Sequence, residues 1–175
     1  MENIPIDSVS IIKDYLFFKP KTKKKLQEAV NLWCEDKEEA LSRYGHISDW
    51  NTILITNMDN LFQEEYDFND NINNWNVSKV TSMDRMFNGA SNFNQPLEKW
   101  DVSKVNIMSN MFRGATLFDQ CINSWNVSSV TEMYGMFYEA SNFNQPLEKW
   151  DVSKVDIMSN MFREATSFDQ CINSW

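Results

Sequence analysis

The residues whose side chains could do chemistry are few, and they lie far apart in the sequence. The chain has one histidine, His46, and three cysteines, Cys34, Cys121 and Cys171. A nucleophilic triad needs a histidine beside a nucleophile, and a zinc site needs several closely spaced Cys or His ligands. Neither can be assembled here, and the glycine-rich repeat that binds Ca²⁺ in some solenoids is absent. We therefore predict that the protein is not an enzyme and carries no metal or cofactor.

Most of the chain is a repeat of 25 residues, and each unit begins with a tryptophan. This repeat must position the cysteines and other side chains within it. Five contiguous units fill residues 50–174, and a last tryptophan opens a further unit. The tryptophans are Trp50, Trp75, Trp100, Trp125, Trp150 and Trp175. A fixed period of this size predicts a solenoid, in which each unit buries its apolar side against its neighbours. We predict two regions, an N-terminal extension with a helical cap at 1–49 and the repeats at 50–175.

Within each unit, the pattern predicts a short helix and two short strands. In the unit that starts at Trp75, apolar residues between Met83 and Ala90 follow i, i+3, i+4, i+7 spacing, which is typical of one buried helical face. The residue two before the first methionine is of an N-cap type in all five units. The segments Phe-Asn-Gln-x-Leu-x-x-Trp and Trp-x-Val-Ser-x-Val are the candidate strands, each pairing with its copy one unit along. Aromatic residues should then stack in columns, and Asn, Asp and Gln residues should form hydrogen-bonded ladders.

Before the repeats, the pattern of residues 22–45 predicts a pair of helices that covers the first unit. Thr22 and Asp36 are of the residue types that cap helix N-termini, and Gly45 is typical of a helix C-terminus. One apolar face is predicted for the first helix, formed by Leu26, Ala29, Val30 and Trp33. Residues 11–18 are apolar and could form a short strand or one helical turn.

Charge is unevenly distributed along the chain. The net charge is −9, and residues 50–175 hold 8 Lys or Arg against 16 Asp or Glu. An acidic repeat surface repels phosphate, so we do not expect nucleic acid as a partner. The lysines between 19 and 25 predict a solvated helix start, with an anion-binding site as the alternative. No signal peptide or membrane span is visible, and we expect an intracellular (cytoplasmic) or virion-associated protein rather than a secreted one.

Differences between internal copies mark a candidate partner surface. Residues 76–125 and 126–175 differ at 9 of 50 positions, and six of the nine fall between 79 and 89 of the first copy. Four of the six lie on the outward face of the predicted helix, where Tyr134 and Tyr138 would form an exposed pair. Neutral drift on a solvated face is the alternative interpretation. The candidate surface consists of Asp84, Arg85, Asn88, Tyr134, Tyr138 and Glu139.

The last residue, Trp175, opens a unit that does not continue. Either the chain is a fragment of a longer array, or its open end pairs with another chain. An end-to-end homodimer would bury strand edges and the end of the tryptophan column. The candidate residues for that contact are Cys171 and Trp175.

The repeat resembles that of the BspA-like leucine-rich-repeat superfamily, in its 25-residue subtype. The matching pattern, over residues 50–175, is Trp-Asp/Asn-Val-Ser-x-Val-x-x-Met-x-x-Met-Phe-x-x-Ala-x-x-Phe-Asn/Asp-Gln. The subtype is known from mycoplasma surface lipoproteins and from proteins of protists, algae and large DNA viruses. The stretch AVNLWCEDKEEALSRYGHISDW is similar to the helical lead-in of such repeats. The resemblance implies a right-handed leucine-rich-repeat-like solenoid without catalytic activity, acting in surface exposure, adhesion or protein interaction.

These observations predict an α/β solenoid of 25-residue units with an N-terminal helical cap. We expect a non-enzymatic repeat scaffold that mediates protein–protein interaction through its acidic surface. The alternative is a structural or assembly component, such as a virion or surface protein, that self-associates through the open C-terminal end. A third hypothesis, an enzyme with an unrecognised site, would need a polar pocket with perturbed titratable groups.

Overall fold

Two α-helices precede the repeats in the computed structural model, which describes residues 17–173 and 175. Helix α1 spans Lys23–Glu35 and helix α2 spans Lys37–Tyr44, and a 3₁₀ turn follows at Ile47–Asp49. The predicted helical pair is therefore confirmed. The strand or turn predicted for 11–18 lies for the most part outside the described residues.

Local sequence explains where these helices begin and end. The Thr22 hydroxyl oxygen accepts a hydrogen bond from the N–H of Lys25 at 3.2 Å, and the Asp36 carboxylate accepts one from the N–H of Glu39 at 3.0 Å. Such caps satisfy amide donors that have no partner inside the helix. Gly45 ends α2 with a φ of 70°, a conformation that glycine adopts without strain. As predicted, α1 buries Leu26, Ala29, Val30 and Trp33.

The repeats do not form the predicted α/β solenoid. Within residues 50–173 the chain has no α-helix and no strand, and the only β-type pairing between neighbouring units consists of isolated parallel bridges. These bridges link Asn57 with Ser82, Ser82 with Ile107, Ile107 with Glu132, and Glu132 with Ile157. The short helix and the two strands predicted for each unit are wrong, and so is the right-handed leucine-rich-repeat-like architecture that the resemblance implied.

The predicted helix fails because alternate N–H groups point to the next unit. In an α-helix every N–H donates to the carbonyl four residues back. Here the N–H groups of Asn60 and Phe62 donate to the carbonyls of Asp84 and Met86 at 2.9 and 2.8 Å, while the N–H of the residue between them closes a turn three residues back. The same alternation occupies 58–65 and the three following copies. We call these segments the turn ladder.

Left-handed backbone at two positions of each segment in the turn ladder also excludes a helix. Asn60 has a φ of 60° and Glu64 a φ of 62°. This conformation costs most residues roughly 1–2 kcal/mol, but glycine tolerates it and asparagine visits it more readily than most. The corresponding residues of the other units, all with positive φ, are Arg85, Gly89, Asn110, Gly114, Gly135, Glu139, Asn160 and Glu164. The recurring Asn and Gly were the signal for turns in the sequence.

Columns of stacked aromatic rings form the core, as the period predicted. Along the column that starts at Phe62, neighbouring ring centroids lie 5.4–5.7 Å apart and the rings are within 7° of parallel. The column that starts at Phe68 has spacings of 5.7–6.0 Å. In the tryptophan column the indole N–H of Trp100 donates to the carbonyl of Ile72, 28 residues earlier, and the next three tryptophans repeat this bond. Each unit is thus held to the one before it.

The expected amide ladder is present, but with a different pairing. The Asn94 Oδ1 atom accepts hydrogen bonds from the N–H of Asp119 at 3.0 Å and from the Nε2 of Gln120 at 2.9 Å. The same double acceptance recurs at Asn69, Asp119 and Asn144. Each glutamine therefore bonds to an Asn or Asp of the preceding unit rather than to another glutamine.

Candidate functional site

A groove of about 410 Å³ runs along the outer side of the turn ladder. Its walls include Asp59, Asp84, Ile107, Glu132, Tyr134 and Ile157. We call it the ladder groove. The bridges described above place residues 57, 82, 107, 132 and 157 side by side along it, so the groove crosses five units.

The first end of the ladder groove is acidic, and its carboxylates are occupied by donors of the protein. The Asp59 Oδ1 atom accepts hydrogen bonds from the Ser82 hydroxyl and from the N–H of Asp84, the latter at 3.0 Å. The Asp84 Oδ2 atom accepts one from the Arg85 guanidinium at 2.8 Å. Burial raises the pKa of the Asp84 carboxyl, and the nearby Asp59 carboxylate adds to this against the opposing effect of Arg85.

The other end of the ladder groove is mainly apolar and contains one carboxylate, that of Glu132. Glu132 lies between Ile107 and Ile157 in the row of bridges. The side chain of Ile157 is 44% exposed, and that of Tyr134, two residues after Glu132, is 40% exposed. In the part of the chain that the structure describes, no hydrogen bond or ion pair engages the Glu132 carboxylate. The unpaired Glu132 carboxylate therefore lies between two isoleucines on a groove wall that it shares with Tyr134, and its charge also helps to raise the pKa of Asp84.

Three of the six residues of the predicted partner surface line this groove. These are Asp84, Arg85 and Tyr134. Asn88 is half-buried and Glu139 is exposed, and neither lies on the wall of the groove. The predicted surface is therefore brought together only in part.

Tyr138 does not form an exposed pair with Tyr134. It is half-buried, and the guanidinium carbons of Arg113 and Arg163 lie 4.6 and 5.5 Å from its ring centroid. Its hydroxyl donates to Glu164 at 3.4 Å. Of the two tyrosines, only Tyr134 offers an exposed ring.

The two isoleucines of the groove were missed by the sequence analysis. The predicted helix gave no reason to place Ile107 or Ile157 on a binding face. The signal was in the column, because the same position in other units is Asn57, Ser82 and Glu132. Polar residues at this position indicate that it is not a core position, and the isoleucines there are only partly covered: Ile157 is exposed and Ile107 is half-buried.

Cys34 and His46, the first residues considered for chemistry, lie at the junction of the helices and the first unit. Burial, together with the carboxylate of Glu65, raises the pKa of the Cys34 thiol to about 12. The His46 Nδ1 atom lies 2.8 Å from the Ser48 hydroxyl, and the imidazole packs against the Trp33 ring with centroids 5.1 Å apart. Among residues 17–173 and 175, no three His, Cys, Asp or Glu side chains are grouped closely enough to hold a metal ion.

The residues of the expected end-to-end contact lie at the end of the columns. Cys171 is exposed, with a free thiol. Trp175 is half-buried, and its ring stacks on Trp150 with centroids 6.2 Å apart. The end-to-end contact stays a prediction, which light scattering over a dilution series would check.

This architecture defines a class, a protein built from stacked 25-residue units. Within that class, the family described as "Mycoplasma protein of unknown function, DUF285" matches the chain at residues 34–123 and again at 96–175. Because these matches cover most of the sequence, the protein belongs to this family. No curated protein is significantly similar to the chain, and no solved structure is. None of the helices in the described part is long and apolar enough to cross a membrane.

Proposed function

We propose that this protein is a non-enzymatic repeat scaffold that binds another protein through the ladder groove. The observation that carries the proposal is the exposed apolar surface of Tyr134 and Ile157 in a groove whose other lining residues, apart from Ile107, are polar or charged. Apolar patches rimmed by polar groups are typical of interaction sites, and tyrosine is enriched among the residues that dominate binding.

The two internal copies support this assignment because three of their nine differences involve residues that line the ladder groove. Ser82 of the first copy corresponds to Glu132, and Asp84 corresponds to Tyr134. The buried residues of the same segment, such as Met83 and Met133, are identical in type. The two copies therefore share their core and differ on the surface that a partner would meet.

Charge and resemblance support the class of partner. An excess of acidic side chains over the repeats disfavours nucleic acid and favours a partner with basic groups. The motif shared with BspA-like repeat proteins, whose role is adhesion or protein interaction, points the same way. That support comes from the motif alone, because the leucine-rich-repeat architecture is not the one found.

A matched pair of substitutions tests the proposal. Tyr134→Ser introduces the residue found at this position in the flanking units, Ser109 and Ser159. Tyr66→Ser likewise introduces the type found at Ser91, and Tyr66 is 59% exposed but lies outside the ladder groove. We expect Tyr134→Ser to weaken binding of a captured protein partner about tenfold, since exposed aromatic anchors often contribute more than 1 kcal/mol.

Titration of the purified partner against both variants gives the affinities. We expect Tyr66→Ser to bind within about twofold of the native chain, because Tyr66 lies outside the ladder groove and would not touch the partner. Equal losses for both variants, or a loss for Tyr66→Ser alone, would place the binding surface elsewhere.

A further inference from the structure

We propose that the Glu132 carboxylate receives one arginine side chain of the partner, presented by an extended segment lying along the ladder groove. This rests on the proposed function, because it names the partner chemistry that the same groove fits. It goes further by assigning the central contact to a residue outside the surface predicted from sequence.

The surroundings of Glu132 match an arginine side chain in both of its parts. The aliphatic stem of an arginine packs on apolar surface while its charged head stays polar, and Ile107 and Ile157 supply that surface on either side. The guanidinium can bond both oxygens of a carboxylate and can lie over an aromatic ring, here Tyr134. A lysine ammonium is a point charge without this planar geometry.

The acidic end of the ladder groove is a poorer place for the incoming cation. The Asp59 carboxylate already accepts hydrogen bonds from Ser82 and Asp84, and Asp84 already pairs with Arg85. The exposed Arg85 also adds a positive charge that repels a second guanidinium. Glu132 is the groove carboxylate that keeps its full accepting capacity in the described chain.

The backbone beside the groove favours recognition by side chains rather than by strand addition. The N–H groups that point along the stack, such as those of Met108 and Met133, already donate to carbonyls of the next unit. Neighbouring parallel segments lie about 4.8 Å apart, so the four steps across the groove span roughly 19 Å. An extended segment of about six residues covers this length at roughly 3.3 Å per residue.

The internal repeat predicts one such site in the chain rather than two. Ser82 occupies the position of Glu132 in the first copy, between Asn57 and Ile107. Asp84 replaces Tyr134 beside it. The first copy therefore lacks the carboxylate, the second isoleucine and the ring that the arginine would use.

A random heptapeptide library, selected on the full native chain, supplies the probe for the test. Selected peptides are labelled with fluorescein and titrated by anisotropy against the native chain and Glu132→Gln. Glu139→Gln is the matched control, because it makes the same change at an exposed glutamate outside the groove. We expect the selected peptides to share an arginine, and Glu132→Gln to weaken them about tenfold or more while Glu139→Gln changes Kd less than about twofold.

Replacing the shared arginine by citrulline completes a double-mutant cycle. The citrulline peptide should bind the native chain about tenfold more weakly, and Glu132→Gln should weaken it little further, because the same contact is already lost. Additive losses would overturn the pairing. So would a library that yields no binder, or selected peptides with lysine, or with no basic residue, at the sensitive position.

The outcome also separates this proposal from the one on which it rests. If the Kd of the peptides is unchanged by Glu132→Gln but is weakened by Tyr134→Ser, the arginine contact is overturned and the groove remains the binding surface. Peptides or proteins that ignore both substitutions would overturn both proposals.

Discussion

Gly135 shows how strongly the turn ladder constrains a single residue. Its φ is 56°, and a Cβ added there would lie 2.9 Å from the Oδ1 atom of Asn110. Gly114 has a similar φ of 67°, but an added Cβ would meet no atom closer than 3.6 Å. A substitution at Gly114 therefore tests the strain of left-handed backbone alone, and a substitution at Gly135 adds a direct clash with Asn110.

We expect Gly114→Ala to lower the free energy of unfolding by roughly 1–2 kcal/mol, which is the cost of the left-handed backbone for a residue with a Cβ. Gly135→Ala should cost more, because the side chain of Asn110 is buried and must move. Urea unfolding of both variants measures the difference. Equal losses at the two positions would show that the close approach to Asn110 has no energetic consequence.

Two aspartates should give opposite pH dependence. Burial raises the native pKa of Asp84, so its contribution to stability falls as pH rises from the ordinary carboxyl value of about 3.9 through the raised native value. The hydroxyl and N–H of Ser103 lower the pKa of Asp101, so its contribution is present above that ordinary value and is lost as pH falls through the lowered one. Relative to the native chain, Asp84→Asn should gain stability and Asp101→Asn should lose it between about pH 3 and pH 7.

Unfolding in urea at the two pH values measures these differences for each variant. A change of the same sign in both variants would contradict the assigned causes, because one pKa is raised by burial and the other is lowered by hydrogen bonds.

Thiol labelling should distinguish Cys34 from the other cysteines. Its pKa of about 12 leaves almost no thiolate near neutral pH, and it is half-buried. Cys121 and Cys171 are exposed, so two thiols should react with iodoacetamide quickly and the third slowly until urea is added. Mass spectrometry of the labelled peptides identifies the order, and rapid modification of Cys34 in the native chain would contradict it.

At the scale of elements, the same spacing of apolar residues is compatible with two structures, an α-helix and the turn ladder. Met83, Met86, Phe87 and Ala90 are all buried, as the helical pattern predicted, yet they lie in a turn ladder. Their sequence spacing fixes which side chains face the core but does not state whether the N–H groups bond within the unit or to the next one. The caps at Thr22 and Asp36 were sufficient for α1 and α2, because those helices are held by local bonds.

The amide ladder should contribute to stability at Asn94. Asn94→Ala removes the acceptor for the N–H of Asp119 and for the Gln120 side chain, which should cost about 1–3 kcal/mol. Asn92→Ala is the control, because Asn92 is exposed and its side chain makes a single bond to Asp67. Urea unfolding should show a change of about 0.5 kcal/mol or less for the control. A loss at Asn94 no larger than this would contradict the ladder.

At the scale of the whole molecule, two nearly identical copies carry one groove with two chemically different ends. The differences between residues 76–125 and 126–175 predicted the segment that contains Tyr134 as a partner surface. The positions of Ile107 and Ile157 on the groove wall could not be predicted, because they depend on the parallel bridges between units and not on a helical face. The sequence comparison also grouped Tyr138 with Tyr134, whereas the arginines of the neighbouring units enclose Tyr138.

We propose that the residues by which the second copy differs from the first make a single binding groove on a shared core. Isothermal titration calorimetry of the full chain with a selected arginine peptide tests it most directly. The variant to compare carries Glu132→Ser and Tyr134→Asp, which restore the residues of the first copy. We expect one site per native chain and no measurable heat of binding for the variant, with unchanged circular dichroism. Two equivalent sites, or undiminished binding by the variant, would contradict the claim.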